Sequence, residues 1–292
     1  MGFYAPGTIV EDARRHGVRV LPVDLRCSMW DATMERVPRE PKQRTAPAPA
    51  VRLGLRSVRG LGVRARERLV QARAAGPFTS VGDVVRRSGL DRRALRALAE
   101  AGAFDGMFAD VAPRERRRHA LWSVLAEARG DAGPLAPQPA APPPPADAVP
   151  AYSAFELTEA DYRLTGISLN GHPMKHLRAL LQPNGVRTAI DLLDKGRDGD
   201  RVAAAGLVIC RQRPGTAKGF VFVSLEDETG ILNVVVTPKR FEQDALLIST
   251  TPLLLVRGVL QREERVVTLR GHTFRALEAP VGAEYARRHD FR

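Results

Sequence analysis

Five consecutive residues, Val58-Arg59-Gly60-Leu61-Gly62, lead into an apolar and basic segment, Val63–Arg73. Their types and spacing suit one kind of chemistry, the holding of a phosphate. Two glycines one residue apart permit a tight turn and let backbone N–H groups come close to an anionic oxygen. A helix starting at Val63 presents unsatisfied N–H donors and the positive end of its dipole to the same point. Arg59, Arg64 and Arg66 add positive charge around it. A contact of this kind carries no sequence information, so it would grip a nucleic-acid backbone indifferently to bases. A second frame follows, with a helix over Val81–Arg87 and a turn at Ser88-Gly89-Leu90. Asp91 is placed to cap a further helix, Arg92–Ala101, and Gly102 to end it. Arg92, Arg93 and Arg96 cluster at the start of that helix, and Leu95 and Leu98 give it an apolar face.

Signals for bond-making chemistry are weak by comparison. His172-x-x-x-His176 has the spacing of two metal ligands, but Pro173 follows the first and no glutamate stands in the zincin position. Asp198-Gly199-Asp200 has the spacing of a two-metal centre, yet it sits in a polar stretch that reads as a turn. Glu226-Asp227-Glu228 reads as a hairpin turn, and Gly215-Thr216-Ala217-Lys218-Gly219 lacks the spacing of a phosphate-binding loop. No Ser-His-Asp or Cys-His arrangement can be picked out, so no catalytic residue is assigned.

The elements that must position these residues divide in two. Hydrophobic-x-Gly-hydrophobic-Gly entering a helix is the helix-hairpin-helix signature, and two in tandem are the usual unit for gripping a duplex from its minor-groove side. Further along, strands are expected over Arg201–Arg211, Gly219–Glu226 and Gly230–Val236, then a helix over Pro238–Leu247, then strands over Pro252–Gln261 and Arg265–Phe274. Three strands, a helix and two strands is the order of an OB-fold barrel, which binds single strands on the face of its second and third strands. Arg211, Arg213 and Lys218 fall on or beside the first loop of that barrel, and Phe220 and Phe222 share one face of its second strand. Stacking on bases needs these rings outward; core packing needs them inward. A protein-interaction barrel is the alternative for the whole domain.

Composition narrows the class. Of 45 basic residues only five are lysine, a skew that a GC-rich genome would also produce, and the formal net charge is +12. That charge is uneven: residues 51–130 carry +9, residues 1–50 carry +2, residues 131–199 carry −2 and residues 200–292 carry +3. Concentration in one segment argues for a polyanionic partner there. Cys27 and Cys210 form no CxxC pair and no disulfide framework, which points to a reducing, cytoplasmic compartment. No long apolar run and no signal-peptide pattern is present, so no membrane association is expected.

The expected architecture is a multidomain α + β chain: a tandem helix-hairpin-helix domain, a Pro-rich linker and a five-stranded OB-fold barrel. Residues 1–37 hold a short helix, opened by a Thr8-x-x-Glu11 capping box near Ile9 and ended by Gly17, and an extended stretch. Residues 38–50 read as a linker, 51–130 as the hairpin domain, 131–150 as a second linker in which eight of the 17 residues from Pro134 to Pro150 are proline, 151–199 as a helical connector, 200–277 as the barrel and 278–292 as a tail.

Together these stretches resemble a known family. MGFYAPGTIVEDARRHGVRVLPVD is similar to the end of the fingers region of bacterial C-family DNA polymerases, LGLRSVRGLG to the start of their tandem hairpin domain, and LRALAEAGAFD to its end. DYRLTGISLNGHPM and GLVICRQRPGTAKGFVFVSLEDETGILNVVV resemble their C-terminal OB region, and RQRPGTAKG followed by LEDETG is nearest the error-prone, SOS-induced translesion branch. The resemblance implies duplex primer–template and single-stranded template as partners, with a mutasome accessory protein that recruits the polymerase to the sliding clamp. Gln138-Pro139-Ala140 is no clamp-binding peptide, which fits recruitment through such a partner. The family's palm aspartates, which would hold Mg2+, and its N-terminal PHP domain have no counterpart here. The chain alone is therefore expected to hold no cofactor and not to polymerise DNA, whether it is a fragment, a split product or a truncated copy. The alternatives are a stand-alone single-strand-binding or mutasome assembly module, an aminoacyl-tRNA synthetase accessory piece with a similar DETG hairpin, and a non-functional remnant.

Overall fold

The computed structural model describes residues 5–37, 48–127, 151–264 and 266–277. The Pro-rich stretch, the peptide at Gln138–Ala140, the tail from 278 and most of the 38–50 linker lie outside the described residues. The chain forms two compact units, residues 16–169 and residues 1–15 with 170–292. Its first helix, α1 (Pro6–Arg15), belongs to the second of these. It starts two residues before Thr8, with proline in its first turn, where the missing N–H loses nothing. Thr8 donates its own N–H to the Ala5 carbonyl, and Glu11 pairs with Arg14 at 2.8 Å. The expected capping box is therefore not formed. Gly17 follows the helix at φ +81°, as its end requires.

The unit of residues 16–169 opens with a small sheet, β1 (Arg19–Leu21), β2 (Thr33–Val37) and β3 (Ala48–Arg52), in the order β1-β3-β2. β3 corrects the expectation that residues up to 50 are linker. Its Pro49 pairs only with Arg36 of β2, because β1 begins opposite Ala50, so the missing N–H breaks no ladder. Five helices follow: α2 (Val63–Ala74), α3 (Val81–Ser88), α4 (Arg92–Glu100), α5 (Arg116–Glu127) and α6 (Ala154–Leu164). Leu69, Leu95, Leu98 and Phe104 are fully buried among them, and each leucine so buried contributes about 1.5–3 kcal/mol. α6, expected in the connector, belongs to this unit. Its Asp161 meets the buried Arg117 of α5 at 2.7 Å, and Arg117 also donates to the Glu100 carbonyl at the end of α4. Asp105 lies 3.8 Å from the same guanidinium, and burial pushes its carboxyl up to about 6.

The second unit contains α7 (Pro173–Leu181), β4 (Val186–Arg187), α8 (Ala189–Lys195), β5 (Arg201–Gln212), β6 (Val221–Glu226), β7 (Ile231–Val236), α9 (Pro238–Thr250), β8 (Leu253–Glu263) and β9 (Val266–Ala276). β5 pairs with both β6 and β8, which closes five strands into a barrel in the order β5-β6-β7-β9-β8; β4 adds a short parallel edge to β5. This is the order of an OB-fold. Strand alternation sends Val221, Val223 and Leu225 of β6 and Leu232, Val234 and Val236 of β7 into the core, with Ile248 of α9 also fully buried. A Cβ at Gly258 would lie 2.0 Å from the Arg270 carbonyl, so β8 and β9 can approach at their bulge only because that side chain is missing.

The Asp227 turn is more than a hairpin loop. Its carboxylate accepts N–H bonds from Thr229, Gly230 and, across to α8, Ala189 at 2.8 Å; Arg178 of α7 reaches Asp227 at 3.1 Å and Glu228 at 2.6 Å. Asp227 is buried, so removing it would leave these donors unsatisfied at about 1–3 kcal/mol each.

Candidate nucleic-acid interface

Residues 16–169 contain two turn-and-helix frames. In the first, a short 3-10 turn (Leu55–Ser57) ends at Val58, and Gly60 takes φ +91°, which L-residues rarely adopt. Leu61 is half-buried and donates to the Val58 carbonyl at 3.4 Å, which keeps the turn tight. Gly62 stands at the N-cap of α2 in extended geometry (φ −101°, ψ −172°), and no side chain caps the helix. A Cβ at either glycine would meet nothing within 4 Å. Gly60 is thus required by its backbone angle. Gly62 is not required by strain; it leaves the start of α2 without a side-chain cap, and Gly62, Val63 and Arg64 are exposed there. Arg64 and Arg66 are exposed beside them. Arg59, expected as a phosphate contact, donates its N–H to the Leu164 carbonyl at 2.7 Å and its guanidinium to the Arg163 carbonyl at 2.9 Å. It ties the hairpin to the end of α6.

In the second frame Gly89 is left-handed at φ +54°, and Asp91 caps α4 by accepting the Ala94 N–H at 2.7 Å. Arg92 and Arg93 are exposed, whereas Arg96 turns back to Glu100 at 2.6 Å. The link between frames is held from inside. Phe78 is buried between Arg73 and Arg87, whose guanidinium carbons lie 5.8 and 4.9 Å from the ring centre. Arg73 donates to carbonyls of Leu25 and Ser28, and burial lowers its pKa. Arg87 donates to the Gly76 and Pro77 carbonyls and pairs with Asp83 at 2.8 Å. Arg68 of α2 donates to the Gly89 carbonyl, joining one hairpin to the turn of the other. Arg68, Arg73 and Arg87 carried no signal in the sequence that set them apart from the other arginines.

On the barrel, Phe222 is 39% exposed and points out of β6, opposite Gln212 of β5 and Val235 of β7. Phe220 stands just before the strand and is half-buried. Arg213 and Lys218 are exposed in the loop between β5 and β6, with the Arg213 guanidinium 5.1 Å from the centre of the Phe241 ring. Arg211 departs from the expectation. Its guanidinium donates to the Ile248 carbonyl at 2.7 Å and the Thr251 carbonyl at 2.6 Å, so it closes the C-terminal end of α9.

Residues 17–118 match the family of the helix-hairpin-helix motif. Over 295 aligned positions the whole chain is 46% identical to a protein of Anaeromyxobacter sp. (strain K) named error-prone DNA polymerase, and it covers 25% of that protein. Along its whole length the chain is similar to part of that polymerase. Proteins of the same name from Azoarcus sp. (strain BH72) and Burkholderia pseudomallei are 44% and 45% identical over 100% and 91% of this chain, covering 26% and 24% of their own length. The chain thus spans about a quarter of the length of these polymerase relatives. Among solved structures, 32% of the chain superimposes on 23% of an asparaginyl-tRNA synthetase from Pyrococcus horikoshii with 20% identity and a TM-score of 0.28.

A palm-type Mg2+ centre does not fit the described residues. No group of three or more metal-ligating side chains occurs among them. Asp198 and Asp200 are taken up in capping the N–H groups of Arg262 and Arg197, and His172 caps α7 by accepting the Met174 N–H at 3.2 Å. Among the described residues no helix is long and apolar enough to cross a membrane, and no disulfide joins Cys27 and Cys210.

Proposed function

We propose that this chain is the DNA-binding portion of an error-prone polymerase, with duplex product held at the hairpins and a single strand met by the barrel. The observation that supports this most is the uncapped start of α2 at Gly62. It faces open space, has Arg64 and Arg66 beside it, and lies inside the stretch matched by the hairpin family. Phosphate oxygens would accept from the bare N–H groups there, with charge from Arg64, Arg66, Arg92 and Arg93. On the barrel, Phe222 supplies a stacking ring, with Lys218 and Arg213 supplying backbone charge. Phe220 would border that surface. Arg59 and Arg211 would act within the fold, not on DNA.

In this reading the expected segments keep their roles: 1–37 as the end of the fingers, 51–130 as the hairpin domain and 200–277 as the barrel. The work is damage-induced translesion synthesis in the cytoplasm. An accessory protein brings the polymerase to the sliding clamp, and the palm that binds Mg2+ is supplied outside these residues. Exposure of Phe222 favours a second reading, a stand-alone single-strand-binding module. The test is affinity for primer–template DNA and for an unpaired strand over a salt series. Log affinity for primer–template should fall linearly with log salt, with little dependence on sequence. A salt-independent affinity contradicts the proposal, and a strong preference for the unpaired strand favours the second reading.

A further inference from the structure

Another cationic region lies on a different flank of the barrel from Phe222. An open cleft of about 620 Å3 is formed by the turn at Asn184 and Gly185, the start of β5, and adjoining stretches of β8 and β9. Arg187, Arg201, Arg257 and His272 line it, against one carboxylate, Asp200. The strand register places Arg201 opposite Val259 and Arg257 opposite Ala203, so the two arginines are diagonal neighbours, about 7–8 Å apart at the backbone. Thr273 lies opposite Arg257 on β9. Arg201, Arg257 and His272 are exposed, and no hydrogen bond or ion pair among the described residues holds their side chains.

Several other arginines of this unit are committed within the fold, whereas Arg197, Arg270 and Arg275 are exposed like Arg201 and Arg257. Arg178 clasps the Asp227 turn, Arg211 closes α9, and Arg262 donates to the Gly196 carbonyl at 3.0 Å after α8. Within the cleft, Arg187 donates to the Asp191 carbonyl at 3.0 Å, and Asp200 accepts the Arg197 N–H at 2.9 Å. Of the three arginines that line the cleft, Arg201 and Arg257 are thus the two whose guanidinium groups have no structural task among the described residues.

We propose that this cleft holds the phosphodiester backbone of a nucleic-acid strand, independently of base sequence. No Phe, Tyr or Trp lines it, so it lacks the large rings on which bases stack best and the aromatic anchor on which peptide docking commonly depends. Two guanidinium forks, whose donors match phosphate oxygens in pairs, together with the Thr273 hydroxyl and the Asn184 amide, are the groups that position a backbone. The choice of a nucleic acid over another polyanion rests on the DNA-binding reading above.

The test is the full chain carrying Arg201→Gln and Arg257→Gln, titrated with labelled single-stranded and primer–template DNA over a salt series. Loss of two phosphate contacts should weaken binding about five- to tenfold near 0.1 M salt. It should also make the slope of log affinity on log salt shallower by about 1.4–1.8, equally for oligonucleotides of different base composition. Phe222→Ala should lower single-strand affinity and leave the slope unchanged. Unaltered affinity and slope in the double variant overturn the proposal. So does a polyglutamate peptide that binds the wild-type chain and not the double variant while DNA binding stays the same; the cleft would then serve an acidic protein segment. DNA binding that survives damage to the hairpin at Gly62 but falls with the double variant would support the cleft and sink the hairpin reading. A wild-type chain with no affinity for DNA would bring both down.

Discussion

The two hairpins share a frame and differ in electrostatics. Each turns at a glycine with positive φ and feeds a helix with arginines in its first turn. At the first, the helix starts behind Gly62, no side chain caps it, and a Cβ at Gly62 would meet nothing within 4 Å. At the second, the Asp91 carboxylate already accepts the Ala94 N–H and offsets the positive end of the dipole. The first start is available to an external anion, and the second has been given an internal one. Tandem repetition of a motif therefore does not mean two equal phosphate sites: under the proposed function, one hairpin would grip through its backbone and the other through the side chains of Arg92 and Arg93.

The largest effect should come from Gly60→Val. A β-branched residue at φ +91° is strained by about 1–3 kcal/mol, which would lower the thermal midpoint by several degrees; an unchanged midpoint would show that the turn is not held as described. Gly89→Asn should be tolerated far better, because φ +54° is a region asparagine visits. Next, Phe222→Ala should cost about 1–3 kcal/mol in single-strand affinity with little change on duplex, measured by titration, which would separate the barrel's role from that of both hairpins.

Asp105→Asn probes the charges committed inside the hairpin unit. The folded carboxyl is pushed up from 3.8 to about 6, so its contribution to stability is fully present below about pH 4 and is lost as pH rises through 6. The substitution should then stabilise the protein at pH 7.5, by on the order of 1–2 kcal/mol once partial exposure of the side chain is allowed for, and have little effect at pH 4. Equal effects at both pH values would show that the carboxyl is not desolvated. The smallest change is Asp91→Ser, which keeps a capping oxygen and removes the charge. Duplex affinity should rise about two- to threefold with less than about 1 kcal/mol lost in stability. A fall in affinity would mean that Asp91 helps the second hairpin bind.

Much of this was legible in sequence because local rules and packing agree. The helices at 63, 81 and 92 and all five barrel strands lie within about two residues of their expected starts, where caps, glycines and strand alternation mark them. Two local signals were overridden. Thr8-x-x-Glu11 has the letters of a capping box, but a preceding proline starts the helix earlier. Pro49 looked like linker, yet it is the second residue of a strand, at a position where β1 has no residue opposite it and a missing N–H breaks nothing. The roles of the arginines were the least legible. In a chain with 45 basic residues, nothing local separates Arg211 or Arg73, spent on carbonyls far away in sequence, from the exposed Arg64, Arg213 or Arg201. Those assignments depend on which helix end or loop packs nearby, and the same is true of the direction in which Phe222 points.

The most direct test makes the first hairpin electrostatically like the second. Gly62→Asp places a capping carboxylate over α2 at a backbone conformation that aspartate adopts freely, with no atom within 4 Å of its Cβ. The thermal midpoint should be equal or higher, while affinity for duplex DNA at about 0.1 M salt should fall by more than about tenfold. A folded variant that binds duplex as well as the wild type would contradict the account.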